Sequence, residues 1–327
     1  MKKLQILIPQ YNESEDVIKP LLDSIAIQQN VNLVNDVGVI IVNDGSSTHL
    51  SESFLQSYPY TIEYYMSEHK GVSATRNSCL DHATADYVMF CDADDMFYNA
   101  CGLYIIFRES DNGGFESLVS SCVEETRFPE TGEPGYMNHE MDSTFVHGKV
   151  HNRKFLLDNN IRWNDSLTVH EDSYFNCLCQ QLAKELKYCP TPFYLWRWRD
   201  ASVCRHDPKY ILKTYNNMLD SNEALVMQFL LRSRTNDAQF YATNMIYDAY
   251  FTMNKDEWLN QDNSDYRRAT ELRFKDYWLK HKHLHDAIPT EIKNQIIMGI
   301  KNRLYGEGMI LETQTFADWI KKVETMK

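Results

Sequence analysis

Residues 70–95 read K-G-V-S-A-T-R-N-S-C-L-D-H-A-T-A-D-Y-V-M-F-C-D-A-D-D, and this stretch decides the fold. Gly71 opens a run of helical spacing over residues 72–85 that carries Arg76, and an apolar run over 87–91 then stops abruptly at Asp92, Asp94 and Asp95. Carboxylates gathered at the mouth of a buried strand repel and raise one another's pKa. A divalent cation removes that penalty. Asp92 and Asp94, flanking the small Ala93, offer hard oxygen donors to Mg²⁺ or Mn²⁺ and leave coordination positions for a substrate's phosphates. The stretch points to a metal-held diphosphate, and so to a nucleotide-activated substrate.

Outward from it, strand and helix patterns alternate. Residues 4–9 form a short apolar run, and Val17, Leu21, Leu22 and Ile25 then recur at helical spacing. A second buried run over 37–42 ends in N-D-G-S-S, a turn chemistry, and residues 61–66 form a third strand. Such alternation predicts a mostly parallel sheet with helices on both faces, whose ligands sit beyond the carboxyl ends of the strands. Those ends carry Pro9-Gln10-Tyr11-Asn12, Asn43-Asp44-Gly45 and Asp92-Ala93-Asp94, three polar patches converging on one edge. Residues 111–140 read as loops around an apolar stretch at 117–123, and 145–189 as helical segments. The run F-Y-L-W-R-W-R at 193–199 reads as a strand; its alternation leaves open whether Trp196 and Trp198 or Arg197 and Arg199 face the site. Beyond about Asp207 the pattern is helical throughout.

The chain has 327 residues and a net charge of −13, unevenly spread. Residues 1–204 hold 15 basic against 29 acidic side chains, and the remainder 18 against 17. An acidic chain is a poor nonspecific partner for nucleic acid, which needs clustered Lys and Arg. No apolar run approaches the ~18 residues of a membrane-spanning helix. The opening M-K-K-L-Q-I-L-I-P-Q-Y-N-E-S-E has no small-residue cleavage site and reads as a first strand. With eight cysteines and no C-x-x-C pair, the expectation is buried, reduced thiols in a cytoplasmic protein, with peripheral attachment at the inner face of the membrane as a further option. His281, His283 and His285 read as a solvated helix end rather than a metal site.

The pieces I-L-I-P-Q-Y-N-E, V-N-D-G-S-S, G-V-S-A-T-R-N, F-C-D-A-D-D and H-E-D-S-Y-F, with the tail W-R-D-A-S-V, resemble in kind and order the inverting family 2 glycosyltransferases of the GT-A fold. Together they cover roughly the first two thirds of the chain. The resemblance implies a Rossmann-like GT-A domain over 1–206 that binds a nucleotide sugar, usually a UDP-sugar, and a helical module over 207–327 for acceptor binding or oligomerisation. It implies a glycan, polymer or protein acceptor, cell-envelope glycan among them, attacking the anomeric carbon.

The same resemblance assigns residues. Asp44 would accept the N3–H of uracil, with Tyr11 stacking on the base, Pro9 supplying a carbonyl and Glu13 reaching the ribose. Lys70 and Arg76, around a helix N-terminus, suit a diphosphate; the bland alternative for Arg76 is a surface pair with Asp81 or Asp86. Asp94 would be the direct metal ligand. Asp92 would touch ribose or metal-bound water, and Ala93 lies between them. Asp95 would be structural or touch the sugar. His206 or Asp207 would close over the metal. Asp172 would act as base and Glu171 bind hydroxyls, against the alternative that both merely complement a helix dipole. The rivals are a nucleotidyltransferase using the same acids, a nucleotide- or glycan-binding protein without catalysis, and a transferase acting on modified DNA.

Overall fold

Two apolar strands found the sheet. In β1 (Leu4–Gln10) Leu4, Ile6, Leu7 and Ile8 are fully buried, and β2 (Val37–Asp44) is buried along its whole length. Successive side chains leave a strand on opposite faces, so runs of this kind need cover above and below. The computed structural model describes residues 2–200, 209–260, 263–305 and 314–327. It divides into two compact units, Met1–Ser202 and Val203–Lys327.

In the first unit α1 (Glu15–Ala26) and α2 (Leu33–Asp36) separate β1 from β2, and α3 (Glu52–Leu55) precedes β3 (Thr61–Ser67). There follow α4 (Val72–His82), β4 (Tyr87–Phe90), β5 (Met96–Phe97), α5 (Gly102–Asp111), β6 (Ser117–Arg127), β7 (Pro134–His139), β8 (Lys149–Asn152), α6 (Arg153–Asp158), α7 (Glu171–Leu182) and β9 (Leu186–Trp196). The sheet order is β3-β2-β1-β4-β8-β6-β9-β5, with β7 pairing β6. Strands β3, β2, β1 and β4 are mutually parallel; beyond β4 the sheet is mixed, since β8 runs antiparallel to both β4 and β6. Register places Gln10 beside Asn43, Asp44 beside Ser67, and Leu7 beside Phe90. The carboxyl ends of the parallel strands therefore open on one edge, as the alternation predicts. Helix α4 packs on β1 and β2.

Gly45 ties two of these ends together. Its φ is +68°, and a Cβ there would lie 2.7 Å from the His69 backbone nitrogen. Only glycine meets both demands.

Three local expectations change. Residues 111–140 are not mainly loop, because β6 and β7 pair antiparallel from Cys122 with His139 to Arg127 with Pro134. Segment 145–189 holds a strand, β8, as well as helices; four residues are too short for periodicity to announce. The F-Y-L-W-R-W-R run lies on β9 only as far as Trp196, so strand alternation does not govern Arg197 and Arg199.

The second unit is helical: α8 (Tyr210–Lys213), α9 (Tyr215–Leu231), α10 (Thr235–Met253), α11 (Asp256–Leu259), α12 (Ser264–Ala287), α13 (Thr290–Tyr305) and α14 (Phe316–Thr325). Its core is aromatic, with Tyr215, Trp258, Phe274 and Tyr277 fully buried. The expected solvated histidines are corrected here. Only His283 is exposed; the His281 ring lies tilted 4.6 Å from Tyr277 and the His285 ring edge-on 5.5 Å from Tyr247, both buried. Residues 277, 281 and 285 share one face of α12 at a four-residue spacing, and that face is the core face.

Candidate active site

The strand ends and the start of α4 enclose a cleft of ≈ 310 Å³. Pro9, Tyr11, Glu13, Asp44, Arg76, Asp92, Ala93 and Asp94 line it, joined by Gln10, His69, Gly71, Val72 and Thr75. Lys70 is exposed and outside the lining, engaged through its backbone. His206 and Asp207 lie outside the described residues.

Asp44, at the end of β2, is buried and accepts hydrogen bonds from the backbone nitrogens of Lys70 at 2.8 Å and Gly71 at 3.0 Å. His69 stands beside the same carboxylate, Nδ1 to Oδ2 at 2.9 Å, and stacks on Tyr11 with ring centroids 4.4 Å apart. Glu13 accepts from the Tyr11 backbone at 2.6 Å, and burial raises its carboxyl above the usual range. Asp44 thus fastens the loop that starts α4, and Tyr11 and His69 form an aromatic wall beside it.

Arg76 is the hub. It is 3% exposed, which excludes a surface pair. One terminal nitrogen donates to Glu171 at 3.0 Å and Asp172 at 2.9 Å, and the other to Asp92 at 2.9 Å. Trp163 stacks on its guanidinium, 4.4 Å away. Asp81, one of the two surface partners expected in that alternative, pairs with Arg162 instead, at 2.7 Å. Arg76 lines the cleft and holds the acidic motif after β4 to the acidic start of α7, so that its charge is shared among three carboxylates. Burial raises the Asp172 carboxyl to about 6; Arg76 opposes that, while Glu171 and Asp92 add to it. Asp92 goes the other way: although burial would raise it, Arg76 and His147 hold it well below the usual range.

The acidic triplet divides in two. A turn bond from the Asp95 nitrogen to the Asp92 carbonyl, 3.2 Å, brings the ends of the turn together. Asp92, Asp95 and His147 each place a ligand-type atom within 4.8 Å of the others. His147 Nε2 is 3.7 Å from Asp95 and 3.9 Å from Asp92. Asp95 is buried and accepts from the Tyr194 hydroxyl at 2.6 Å and the Arg197 nitrogen at 2.9 Å. Burial, with Asp94 and Asp92 nearby, pushes its carboxyl up. Asp94 is not in this set; it faces Arg199 at 3.0 Å, and Arg199 also approaches Glu13 at 4.0 Å. Asp92 and Asp94 both line the cleft, and carboxylate oxygens are the donor type that suits a hard divalent cation. To use Asp94, the cation would displace Arg199.

His147 and His69 escape the sequence reading. Both are lone histidines in unmarked surroundings, and only the fold brings them to the acids.

The sheet, its open edge and the acidic cleft define a GT-A α/β domain. Residues 5–154, a little under half of the chain, match the model of the family described as Glycosyl transferase family 2. The chain is similar to the "Glycosyltransferase GlyA" of Streptococcus pneumoniae, 27% identical over 227 residues, covering 62% of this chain and 32% of the relative. It is also similar to the "Minor teichoic acid biosynthesis protein GgaB" of Bacillus subtilis, 28% identical over 211 residues, covering 56% and 22%. The match therefore spans a third or less of these relatives' length. Among solved structures, TarS 1–349 of S. aureus in complex with UDP-GlcNAc aligns with a TM-score of 0.64 over 94% of this chain and 93% of that one, at 15% identity. That likeness is one of fold. Among the described residues no helix is long and apolar enough to cross a membrane.

Proposed function

We propose that this chain transfers a sugar, with inversion, from a nucleotide diphosphate donor, a UDP-sugar, to a hydroxyl of a glycan or cell-envelope polymer. The observation that carries the proposal is the Arg76 bridge. It sets Asp92, at the donor cleft, and Asp172, a carboxylate with its pKa raised to about 6, on the two sides of one guanidinium. The relatives' names support glycosyl transfer and an envelope-polymer acceptor, and the UDP-GlcNAc complex of the TarS structure supports the donor class.

Tyr11 and His69 would flank the base while Asp44 and Pro9 read its edge, and Glu13 would meet the ribose. Asp92, Asp94 and the backbone at Ala93 would hold Mg²⁺ or Mn²⁺, which supplies charge neutralisation for the leaving diphosphate. Asp172 would accept the acceptor hydroxyl's proton as that oxygen attacks the anomeric carbon from the face opposite the diphosphate. Glu171 would orient a sugar hydroxyl. Arg76 keeps Asp172 ionised near neutral pH. The helical unit would bind acceptor or a second copy of the chain.

A thermal-shift panel of UDP, dTDP, GDP and CDP, each with and without Mn²⁺, tests the donor class. Ligand at ~100 times its Kd adds ~2.7 kcal/mol to stability. A Mn²⁺-dependent shift specific to UDP supports the proposal, and no shift with any nucleotide overturns it.

A further inference from the structure

The segment between β7 and β8, residues 142–148, is fixed to α7 by three side chains spaced four residues apart. Asp172 Oδ2 accepts from the Val146 nitrogen at 3.0 Å. Asn176 donates to the carbonyls of Thr144 and Phe145, both at 2.9 Å. Gln180 donates to the Ser143 carbonyl at 2.9 Å. Residues i, i+4 and i+8 lie on one helix face, so a single stripe of α7 grips the segment. From its own side Asp142 accepts from the Thr144 and Phe145 nitrogens at 2.7 and 3.0 Å. Gly148, at φ +67°, leaves no room for a Cβ against Ser120.

The segment closes a ring. Val146 reaches Asp172 Oδ2, the next residue, His147, faces Asp92 Oδ2, Arg76 bonds Asp92 Oδ1, and Arg76 bonds Asp172 Oδ1. Donor-side acid and candidate base are thus connected along two routes, through Arg76 and through residues 146–147. Asn176 is fully buried and makes two of the bonds that set the second route.

We infer that Asn176 is a positioning residue. It aims the Val146 N–H at Asp172 and thereby fixes both the orientation and the proton affinity of that carboxylate. The catalytic consequence rests on Asp172 acting as the base, but the positioning itself does not. The charged and titratable groups around Asp172 are Arg76 on α4, Glu171 on α7, Asp92 after β4, His147 in the segment and Lys149 on β8. A hydrogen bond to the ionised carboxylate favours ionisation, so its loss moves the titration upward.

The test compares wild type, Asn176→Ala and Gln180→Ala, the last at a half-buried position that spares the core should Asn176→Ala fail to fold. Amide exchange at Val146 and the carboxyl titration of Asp172, followed by carbon NMR on the full chain, are read without any turnover. Val146 exchange is expected to accelerate about tenfold or more and the Asp172 midpoint to rise by roughly one pH unit in Asn176→Ala, with smaller changes of the same sign in Gln180→Ala. Turnover of UDP-GlcNAc in Asn176→Ala is expected to fall in kcat with KM for the donor unchanged. Unchanged exchange and titration in both variants overturn the positioning role, whatever the turnover. Altered titration with wild-type turnover would retain the positioning and remove Asp172 as base.

Discussion

Arg76 donates to Asp172 at 2.9 Å from within a site where the arginine is 3% exposed. A buried guanidinium needs compensation, and here Asp92, Glu171 and Asp172 supply it together. Removing one side of such a group strands the other. Arg76→Met is expected to lose about 3–5 kcal/mol of stability, read by chemical denaturation, and to lose turnover as well. A loss under ~1 kcal/mol would show that the carboxylates find other partners.

The two acids that Arg76 joins respond oppositely to pH. The folded-state pKa of Asp172 is raised from 3.8 to about 6, so its contribution to stability is fully present below pH ~4 and is lost as pH rises through about 6. Asp92 is held below 3.8, so its contribution is present above that value and is lost as pH falls beneath it. In kinetics the ionised form of Asp172 is the base, and kcat/KM is expected to rise with pH along a limb near 6 that Asp172→Asn abolishes. A profile flat from pH 5 to 8 would count against it.

Asp94 and Arg199 make a competing pair for the cation. With Arg199 3.0 Å from Asp94, Asp94→Ala is expected to remove the Mn²⁺-dependent part of the UDP thermal shift. Arg199→Ala is expected to strengthen Mn²⁺ binding in the absence of nucleotide, as measured by calorimetry. Weaker Mn²⁺ binding in Arg199→Ala would show that the arginine supports the cation rather than displacing it.

Gly45→Ala places a Cβ 2.7 Å from the His69 nitrogen at φ +68°. An expected cost of about 1–3 kcal/mol in thermal or urea unfolding follows from the strained backbone and the contact. Because Asp44 fastens residues 70–71, UDP affinity is expected to fall in parallel. Wild-type stability and affinity would show that the loop relaxes freely.

Much of the parallel half of the sheet can be read in the sequence, because Leu4 to Ile8 is apolar but for Gln5, Val37 to Val42 is apolar throughout, and only a sheet covered on both faces buries such runs. The convergence of Pro9, Asp44 and Asp92 on one edge follows from that topology alone. What the sequence conceals is long-range. Nothing in F-V-H-G-K-V marks His147 as a neighbour of Asp92, and no spacing joins Arg76 to Glu171 and Asp172, 95 and 96 positions away. Helix α12 misleads for a related reason. Its histidines follow the helical period, but which face is buried depends on Tyr247 and Phe316 from other helices.

The most direct test is UDP release from UDP-GlcNAc by Asp172→Asn in the presence of Mn²⁺, alongside calorimetric UDP binding. If Asp172 is the base of a nucleotide-sugar transferase, UDP binds within about threefold of wild type while turnover falls roughly 10²–10⁴-fold. Wild-type turnover in Asp172→Asn, or a wild-type protein that binds no UDP, would contradict it.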